Sequence, residues 1–283
     1  MFGAGVGVAA CAKGSDSDGG DDGDGDAGVD TRDDAASVPK RDSGGPVDAA
    51  PEEDAAVDAG DKCVAALSKV RFDFEASDAG WTSGFSDGIA VPPDPSWPYN
   101  PWQRGTTTTG TACKSGKCFG SELTKNYAQC HRAYLMSPPL DLSACKGRQV
   151  ALVFEHAYAF FTGSYNAQTW SDGGVVEASG DGTTWAVPTG TYPGTVKINP
   201  DRTASFACTK GNAFGVHNKA GFTGAQTTTA KAEVVLPAAA VTATTRIRFS
   251  TAAGVSSMTT NPDTSRSGTG FGWRIDDVGF VAK

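Results

Sequence analysis

The stretch GTGFGWRIDDVGF, residues 268–280, decides the fold class and raises a question about its two adjacent aspartates. Apolar residues alternate along it with small or polar ones, a pattern that predicts a strand with one buried face. A carboxylate in such a strand is costly without a partner, so we expect something to compensate Asp276 or Asp277. In a regular strand the two side chains point to opposite faces, which argues against a catalytic carboxyl pair in one cleft.

Short runs of the same kind recur from residue 69 onward, among them VRFDFE, QVALVFEHAYAF, GVVEASG, AEVVLP and TRIRFST. Gly, Pro, Asn and Asp separate them, and no 12-residue segment has a helical period. These features predict an all-β fold, an antiparallel β-sandwich of the jelly-roll type. The segment GGVVEASGDGTTWAV predicts a hairpin, with its turn at residues 180–183.

The net negative charge of the chain comes from its front segment. Residues 12–61 contain 16 Asp and Glu against 4 Lys and Arg, whereas residues 62–283 have a net charge of +4. This front segment of Asp, Gly and Ala has too little apolar surface to fold, so we expect a disordered acidic tether. Its aspartates approach the spacing of an EF-hand, but Ala27 stands where the calcium loop needs glycine. The small excess of basic residues in the body excludes a nucleic-acid-binding surface of ordinary density.

The segment GVGVAAC, which ends at Cys11, resembles a bacterial lipobox. It is short and lacks the basic residues of a secretory signal, but a long polar tether follows it, as in lipoproteins. We therefore divide the chain into a partial signal segment (1–11), a tether (12–61) and a β-sandwich domain (62–283). The expected location is the cell surface or periplasm, with a lipid on Cys11 as the anchor in the outer membrane.

The cysteine count agrees with export. Six cysteines remain after Cys11, an even number that permits three disulfides, and no CxxC zinc motif is present. Cys113 and Cys118 lie in one small polar loop, TACKSGKCFG, and are the pair we expect to be bridged. The pairing of the other four stays open: Cys63, Cys130, Cys145 and Cys208.

Several blocks, taken in order, resemble the MAM-like jelly-roll domains of bacterial exported proteins. These domains are related to the accessory domain of immune inhibitor A peptidases and to concanavalin-A-like sandwiches. The blocks are FDFEASDAGW, AYLMSPPLDLS, LVFEHAY, DGGVVEASGDGTTW, TRIRFSTAAG and GWRIDDV, which together extend over about residues 70–283. The chain departs from the family around CKSGKC, at Cys130 and over residues 195–230.

The resemblance implies a structural calcium ion between the first and last strands. Its ligands would be Glu75 and Asp276, with Asp73 as a weaker candidate, while Asp277 would accept a hydrogen bond from a neighbouring loop. Calcium accepts such a mixture of carboxylate and carbonyl oxygens. The alternative is that Glu75 and Asp276 cap strand ends or pair with arginines.

Aromatic residues in two loops are the predicted ligand-binding residues. PSWPYNPWQRG places Trp97, Tyr99 and Trp102 among prolines, and TGSYNAQTWSDGG contributes Tyr165 and Trp170. Flat aromatic faces on rigid loops suit sugar rings or a protein partner. The alternative for Trp97 or Trp102 is a buried position beneath the sandwich.

No catalytic motif accompanies these residues. There is no G-x-S-x-G elbow, no H-E-x-x-H and no alternating acidic triad, and His156 is expected in the core beside aromatic residues. The sequence therefore predicts a non-catalytic surface lipoprotein whose β-sandwich recognises a glycan or a protein. The rival hypotheses are a carbohydrate-binding module that acts on polysaccharide and a glycoside hydrolase of the concanavalin-like superfamily.

Overall fold

A computed structural model describes residues 62–85, 100–108, 110–127, 131–165, 168–198, 215–254 and 270–283. Within these ranges the structure is almost entirely β, apart from a short helix over residues 62–67 and two 3-10 turns, Ser143–Cys145 and Ala238–Ala240. None of the helices described there has the length and apolar character needed to cross a membrane. The proposed lipidation site Cys11 and the acidic segment 12–61 lie outside the described residues.

The strands of the described ranges are numbered in chain order. They are β1 (Arg71–Phe72), β2 (Thr82–Phe85), β3 (Trp102–Gly105), β4 (Cys118–Ser121), β5 (His131–Met136), β6 (Val150–Ala159), β7 (Thr162–Tyr165), β8 (Gln168–Ser171), β9 (Gly173–Ser179), β10 (Thr189–Gly190), β11 (Gly194–Thr195), β12 (Ala220–Thr223), β13 (Ala225–Val235), β14 (Arg246–Ala253) and β15 (Gly272–Ala282).

These strands form two antiparallel sheets, which confirms the predicted β-sandwich. One sheet has seven strands in the order β10-β13-β6-β15-β4-β3, with β1 also paired to β15. The other has six, in the order β11-β12-β9-β14-β5-β2, and β7 and β8 form a separate hairpin. The long strands β6, β14 and β15 thus lie in the interior of the sheets, where strands pair with both of their edges.

The core between the sheets is built by alternation. Phe154 of β6 contacts Phe249 of β14 across the core, and Trp273 of β15 packs beside both rings with no exposed surface. The ring centroid of Trp273 lies 5.5 Å from that of Phe249 and 5.4 Å from that of Phe222. A side chain at Gly174, on the opposite sheet, would place its Cβ 2.2 Å from the Trp273 ring. Glycine there makes room for the tryptophan.

Strand β15 is not regular at its two aspartates. The register against β6 shifts between Asp276 and Gly279, and Asp277 has a φ of 46°. This is a β-bulge, in which an extra residue bends the strand and redirects side chains. The expectation of a regular strand with the two carboxylates on opposite faces is therefore wrong at this point.

Two disulfides lie within the described ranges. The Cys113–Cys118 bridge predicted from the loop sequence is present. Cys63 pairs with Cys145, which links the N-terminal helix to the first 3-10 turn, and both residues are fully buried. The sequence left this second pairing open because its partners are 82 residues apart. Cys130 and Cys208 are outside the described residues.

The predicted hairpin after β9 forms only in part. The turn is held by Asp181, whose carboxylate accepts hydrogen bonds from the backbone N–H groups of Thr183 and Thr184 at 2.7 Å. The chain then returns through a single bridge between Ala178 and Ala186 instead of a second strand. The strand neighbours of β9 are β14, which pairs along its whole length, and β12, which pairs at Gly173 and Gly174.

The contact between Trp273 and Gly174 supports a stability prediction. We expect Gly174→Ala to lower the free energy of unfolding by about 1–3 kcal/mol, because the methyl group overpacks a core that has no free volume there. Urea unfolding of the full chain would measure it. Gly279→Ala is the matched control, since its Cβ would meet no heavy atom closer than 3.7 Å. Equal losses in the two variants would contradict the packing argument.

Candidate functional site

The bulge in β15 brings several carboxylates to one place on the outward face of the seven-stranded sheet. Asp276 is 2% exposed, and its Oδ2 accepts hydrogen bonds from Ser115 N at 3.2 Å and from Ser115 Oγ at 3.5 Å. Burial raises the pKa of Asp276 to about 6. The Lys114 ammonium lies 2.9 Å from both Asp277 Oδ2 and Glu155 Oε1. The partners of these acids therefore come from the loop between Cys113 and Cys118.

Glu75 lies next to this cluster, just after β1. Both of its carboxylate oxygens accept from Lys117 N, at 3.2 and 3.3 Å. Gly116 has a φ of +25°, and a Cβ there would lie 2.4 Å from Glu75 Oε2. Asp73 takes part differently, since its Oδ1 accepts from Glu75 N at 3.1 Å. Glu75 and Asp276, which the resemblance assigned to one site, thus both accept hydrogen bonds from the loop between Cys113 and Cys118.

The predicted calcium ligands do not converge as a metal site. Calcium takes six to eight oxygens around one point. In the described ranges, no group of three or more His, Cys, Asp or Glu side chains is placed to hold a metal ion. Glu75, Asp276 and Asp73 instead accept hydrogen bonds from backbone N–H groups. The residues do not assemble the site that the resemblance implies, and calcium binding itself stays a prediction.

Of the predicted aromatic binding residues, Trp102 has a described side chain, and Tyr165 and Trp170 are described by their backbone. Trp102 is 5% exposed and packs with Trp273 at 6.4 Å between ring centroids, so the buried alternative holds for it. Tyr165 and Trp170 belong to the β7–β8 hairpin, where Tyr165 pairs with Gln168. Trp97 and Tyr99 lie outside the described residues.

His156 occupies the core position expected of it. It is 5% exposed, and its Nδ1 accepts a hydrogen bond from Trp273 Nε1 at 3.2 Å. The rings of Phe154, Tyr158 and Phe222 lie within 5.4 Å of its centroid. Burial lowers its pKa to about 4. The imidazole is therefore neutral at pH 7 and enclosed by aromatic groups.

A second group with a displaced pKa is Asp172. It is 4% exposed, and burial raises its pKa to about 7 despite hydrogen bonds from Gly254 N and Tyr127 Oη, each 2.8 Å long. The same Tyr127 oxygen accepts from Phe161 N at 2.7 Å. Asp172 therefore ties three chain segments together beneath the surface.

Sequence reasoning missed a polar and aromatic group on the outward face of the six-stranded sheet. We call it the arginine–aromatic patch and define it as Tyr134, Glu177, Trp185, Lys219 and Arg248. The Arg248 guanidinium carbon lies 4.1 Å from the Trp185 ring centroid and 5.8 Å from that of Tyr134. Both rings are half-buried, so part of each faces solvent.

A buried carboxylate holds the patch in place. Glu177 is fully buried, with Oε1 2.7 Å from Lys219 Nζ and Oε2 2.8 Å from both Arg248 Nη2 and Ser250 Oγ. Burial opposes its ionisation, but the charges of Arg248 and Lys219 outweigh this effect and lower the pKa of Glu177. The Arg248 side chain is thereby fixed against the sheet, with two cations to one anion.

The sequence did contain a signal for this patch. Glu177 and Arg248 occupy outward positions in the strands GGVVEAS and TRIRFST, and they are directly opposite each other across β9 and β14. Opposite charges at outward positions suggest a cross-strand ion pair. The pairing of these two strands could not be inferred, because 71 residues separate the partners.

Comparisons with known proteins add nothing to the assignment of the site. No family model and no curated protein matches the chain. Among solved structures, it is similar to the K2 cleaved adhesin domain of Lys-gingipain. The sequence identity is 16%, the match covers 75% of this chain and 98% of that one, and the TM-score is 0.37. At this similarity the neighbour carries no information about function, and membership of the MAM-like family stays a prediction.

Because His156 is buried, we expect the free energy of unfolding to fall at acidic pH. The unfolded chain binds the proton near pH 6.5 and the folded chain only near pH 4, so stability falls as the pH drops between these values. We expect the wild-type chain to lose roughly 3 kcal/mol more than His156→Gln between pH 7 and pH 4. Urea unfolding at several pH values would measure the difference.

Asp172 acts in the opposite direction, because its raised pKa removes stability as the pH rises toward 7. It is present in both proteins, so its contribution cancels in the comparison. Parallel pH curves for the wild type and the variant would show that His156 does not carry the effect.

Proposed function

We propose that this chain is an exported, non-catalytic recognition module that binds a glycan at the arginine–aromatic patch. The observation that carries the proposal is the stacking of Arg248 against Trp185, beside Tyr134, on an outward sheet face. A cell-surface role in adhesion, through a lipid anchor on Cys11 and the acidic tether, completes the proposal.

The chemistry of the patch suits a sugar ring. Aromatic faces bury the C–H face of a ring, and fixed polar groups nearby bond its hydroxyls. Arg248 and Lys219 each bond Glu177 with part of their donors, and the remaining N–H groups are free to meet hydroxyl or carboxylate oxygens of a ligand. Because Glu177 already fixes Arg248, little side-chain entropy is lost on binding.

The protonation states favour binding over catalysis. Glycoside hydrolysis needs a carboxylic acid with a raised pKa that can donate its proton to the leaving group. Glu177 has a lowered pKa and bonds on both oxygens, so it has no proton to give. Asp172 and Asp276 have raised pKa values, but they are only 4% and 2% exposed. Asp172 accepts hydrogen bonds from Tyr127 and Gly254, and Asp276 accepts one from Ser115 N.

The disulfides support export. Cys63–Cys145 and Cys113–Cys118 need an oxidising compartment to form and persist. This is the environment in which a lipid-anchored recognition domain would work. A protein ligand is the second candidate, because the same exposed aromatic and arginine groups are enriched at protein interfaces.

Binding to a glycan array, followed by calorimetry on the best hit, would test the proposal with the full chain. We expect Trp185→Ala to weaken binding about tenfold or more, since an anchoring aromatic contributes on the order of 1.4 kcal/mol or more. Lys231→Ala, an exposed change on the other sheet, is the control and should bind normally.

Two results would contradict the proposal. One is unchanged glycan affinity in Trp185→Ala with the fold retained by circular dichroism. The other is an array with no binding by well-folded protein, which would redirect the search to protein ligands at the same patch.

A further inference from the structure

A gap in strand pairing lies at the bulge of β15. On one edge of this strand, β4 pairs with Arg274 and Ile275, and β1 pairs with Val278 and Gly279. Asp276 and Asp277 fall between the two partners. The ends of β1 and β4 therefore meet at a point where strand hydrogen bonds do not join them, and another contact must hold this junction.

The loop closed by the Cys113–Cys118 bridge fills this gap, and we call residues 113–118 the cystine loop. Its Ser115 N donates to Asp276 on β15, and its Lys117 N donates to Glu75 just after β1. These two amides connect the last strand to the segment that follows the first. Cys118 itself begins β4, so the loop also places that strand.

The ammonium of Lys114 adds a third connection. It lies 2.9 Å from Asp277 on β15 and 2.9 Å from Glu155 on β6. Four carboxylates thus face the cystine loop, at Glu75, Glu155, Asp276 and Asp277, and each accepts at least one bond from it. Bonds between carboxylates and N–H or ammonium donors are the stronger class of hydrogen bond.

We propose that the cystine loop takes the place of a bound cation at this junction. Lys114 supplies the positive charge, and the amides of Ser115 and Lys117 supply the donors that orient the carboxylates. The first and last strands are thereby joined without calcium. The inference does not depend on the proposed function, since the arginine–aromatic patch lies on the other sheet.

The disulfide and Gly116 give the loop its shape. The Cys113–Cys118 bridge closes six residues, so the amides keep their direction at a small entropic cost. Gly116 passes so close to Glu75 that a Cβ would lie 2.4 Å from Oε2. Residues Lys114 to Lys117 are exposed, so packing does not hold the loop in shape. The Cys113–Cys118 disulfide does so instead.

The two lysines of the loop provide a matched test in the full chain. Lys114 bonds through its side chain, whereas Lys117 bonds through its backbone N–H. We therefore expect Lys114→Met to lower the Tm by about 2–4 °C at low ionic strength, and Lys117→Met to leave it unchanged. The Tm of the wild-type chain should be the same in millimolar calcium and in EDTA.

Either of two results would overturn the inference. In the first, the wild-type chain loses thermal stability when calcium is removed, which would make a metal ion the clasp. In the second, Lys114→Met and Lys117→Met have the same Tm, which would mean that the ammonium does not hold the junction.

Amide hydrogen exchange tests the backbone donors separately. We expect the amides of Ser115 and Lys117 to be protected in the wild-type chain and to exchange about tenfold faster or more in the double variant Cys113→Ala, Cys118→Ala. The buried Cys63–Cys145 bridge is intact in that variant. If the variant does not fold, the wild-type measurement still decides, because unprotected amides at these two positions would overturn the inference.

Discussion

The insertion of Trp273 between the two sheets is the contact on which the rest of the structure depends. Its ring has no exposed surface and packs against aromatic residues from both sheets, over the glycine at position 174. Its Nε1 donates to His156, which satisfies the one polar atom of the indole and requires an unprotonated Nδ1. A buried tryptophan with a satisfied N–H contributes large apolar area without a polar penalty. This packing positions β15 against the opposite sheet, and the neutral state of His156 follows from its burial beside the ring.

The inward side chains of β15, such as Trp273 and Ile275, hold the strand in the core. The strand can therefore carry a β-bulge that serves its outward face. The bulge after Asp276 bends the strand, and the carboxylates of Asp276 and Asp277 both contact the cystine loop. Such bulges redirect side chains at the point where pairing changes partners, as it does here from β4 to β1. The two aspartates are therefore explained by the junction they serve, and the strand retains its core contacts on either side.

The six-stranded sheet also carries a buried carboxylate on its outward face, and here cationic side chains compensate it. Glu177 is fully buried on the outward face, a costly position for a carboxylate, and it persists because Arg248, Lys219 and Ser250 bond both of its oxygens. The desolvation cost of a buried ion pair offsets much of its gain in stability. Its main effect here is to fix the position of the charged groups. The consequence here is a guanidinium held flat against Trp185, which is a preorganised surface and the best candidate for the binding site.

The sequence by itself determined the fold class, the short disulfide and the core position of His156, because these depend on local signals. Alternating apolar runs with turn residues between them predict a sandwich. The disulfide between two cysteines five residues apart in a polar loop can be predicted from that loop alone. It also placed Glu75 and Asp276 in one neighbourhood, through a resemblance between ordered blocks.

Tertiary structure alone decided the bulge at Asp277, the burial of Trp102, the Cys63–Cys145 bridge and the pairing of Glu177 with Arg248. Each depends on strands that are far apart in the chain but adjacent in a sheet, and a register shift of one residue would turn every side chain of a strand to the other face. The local sequence pattern predicts which residues alternate between the two faces of a strand. The contacts of each outward side chain depend on which strands lie beside it in the folded sheet.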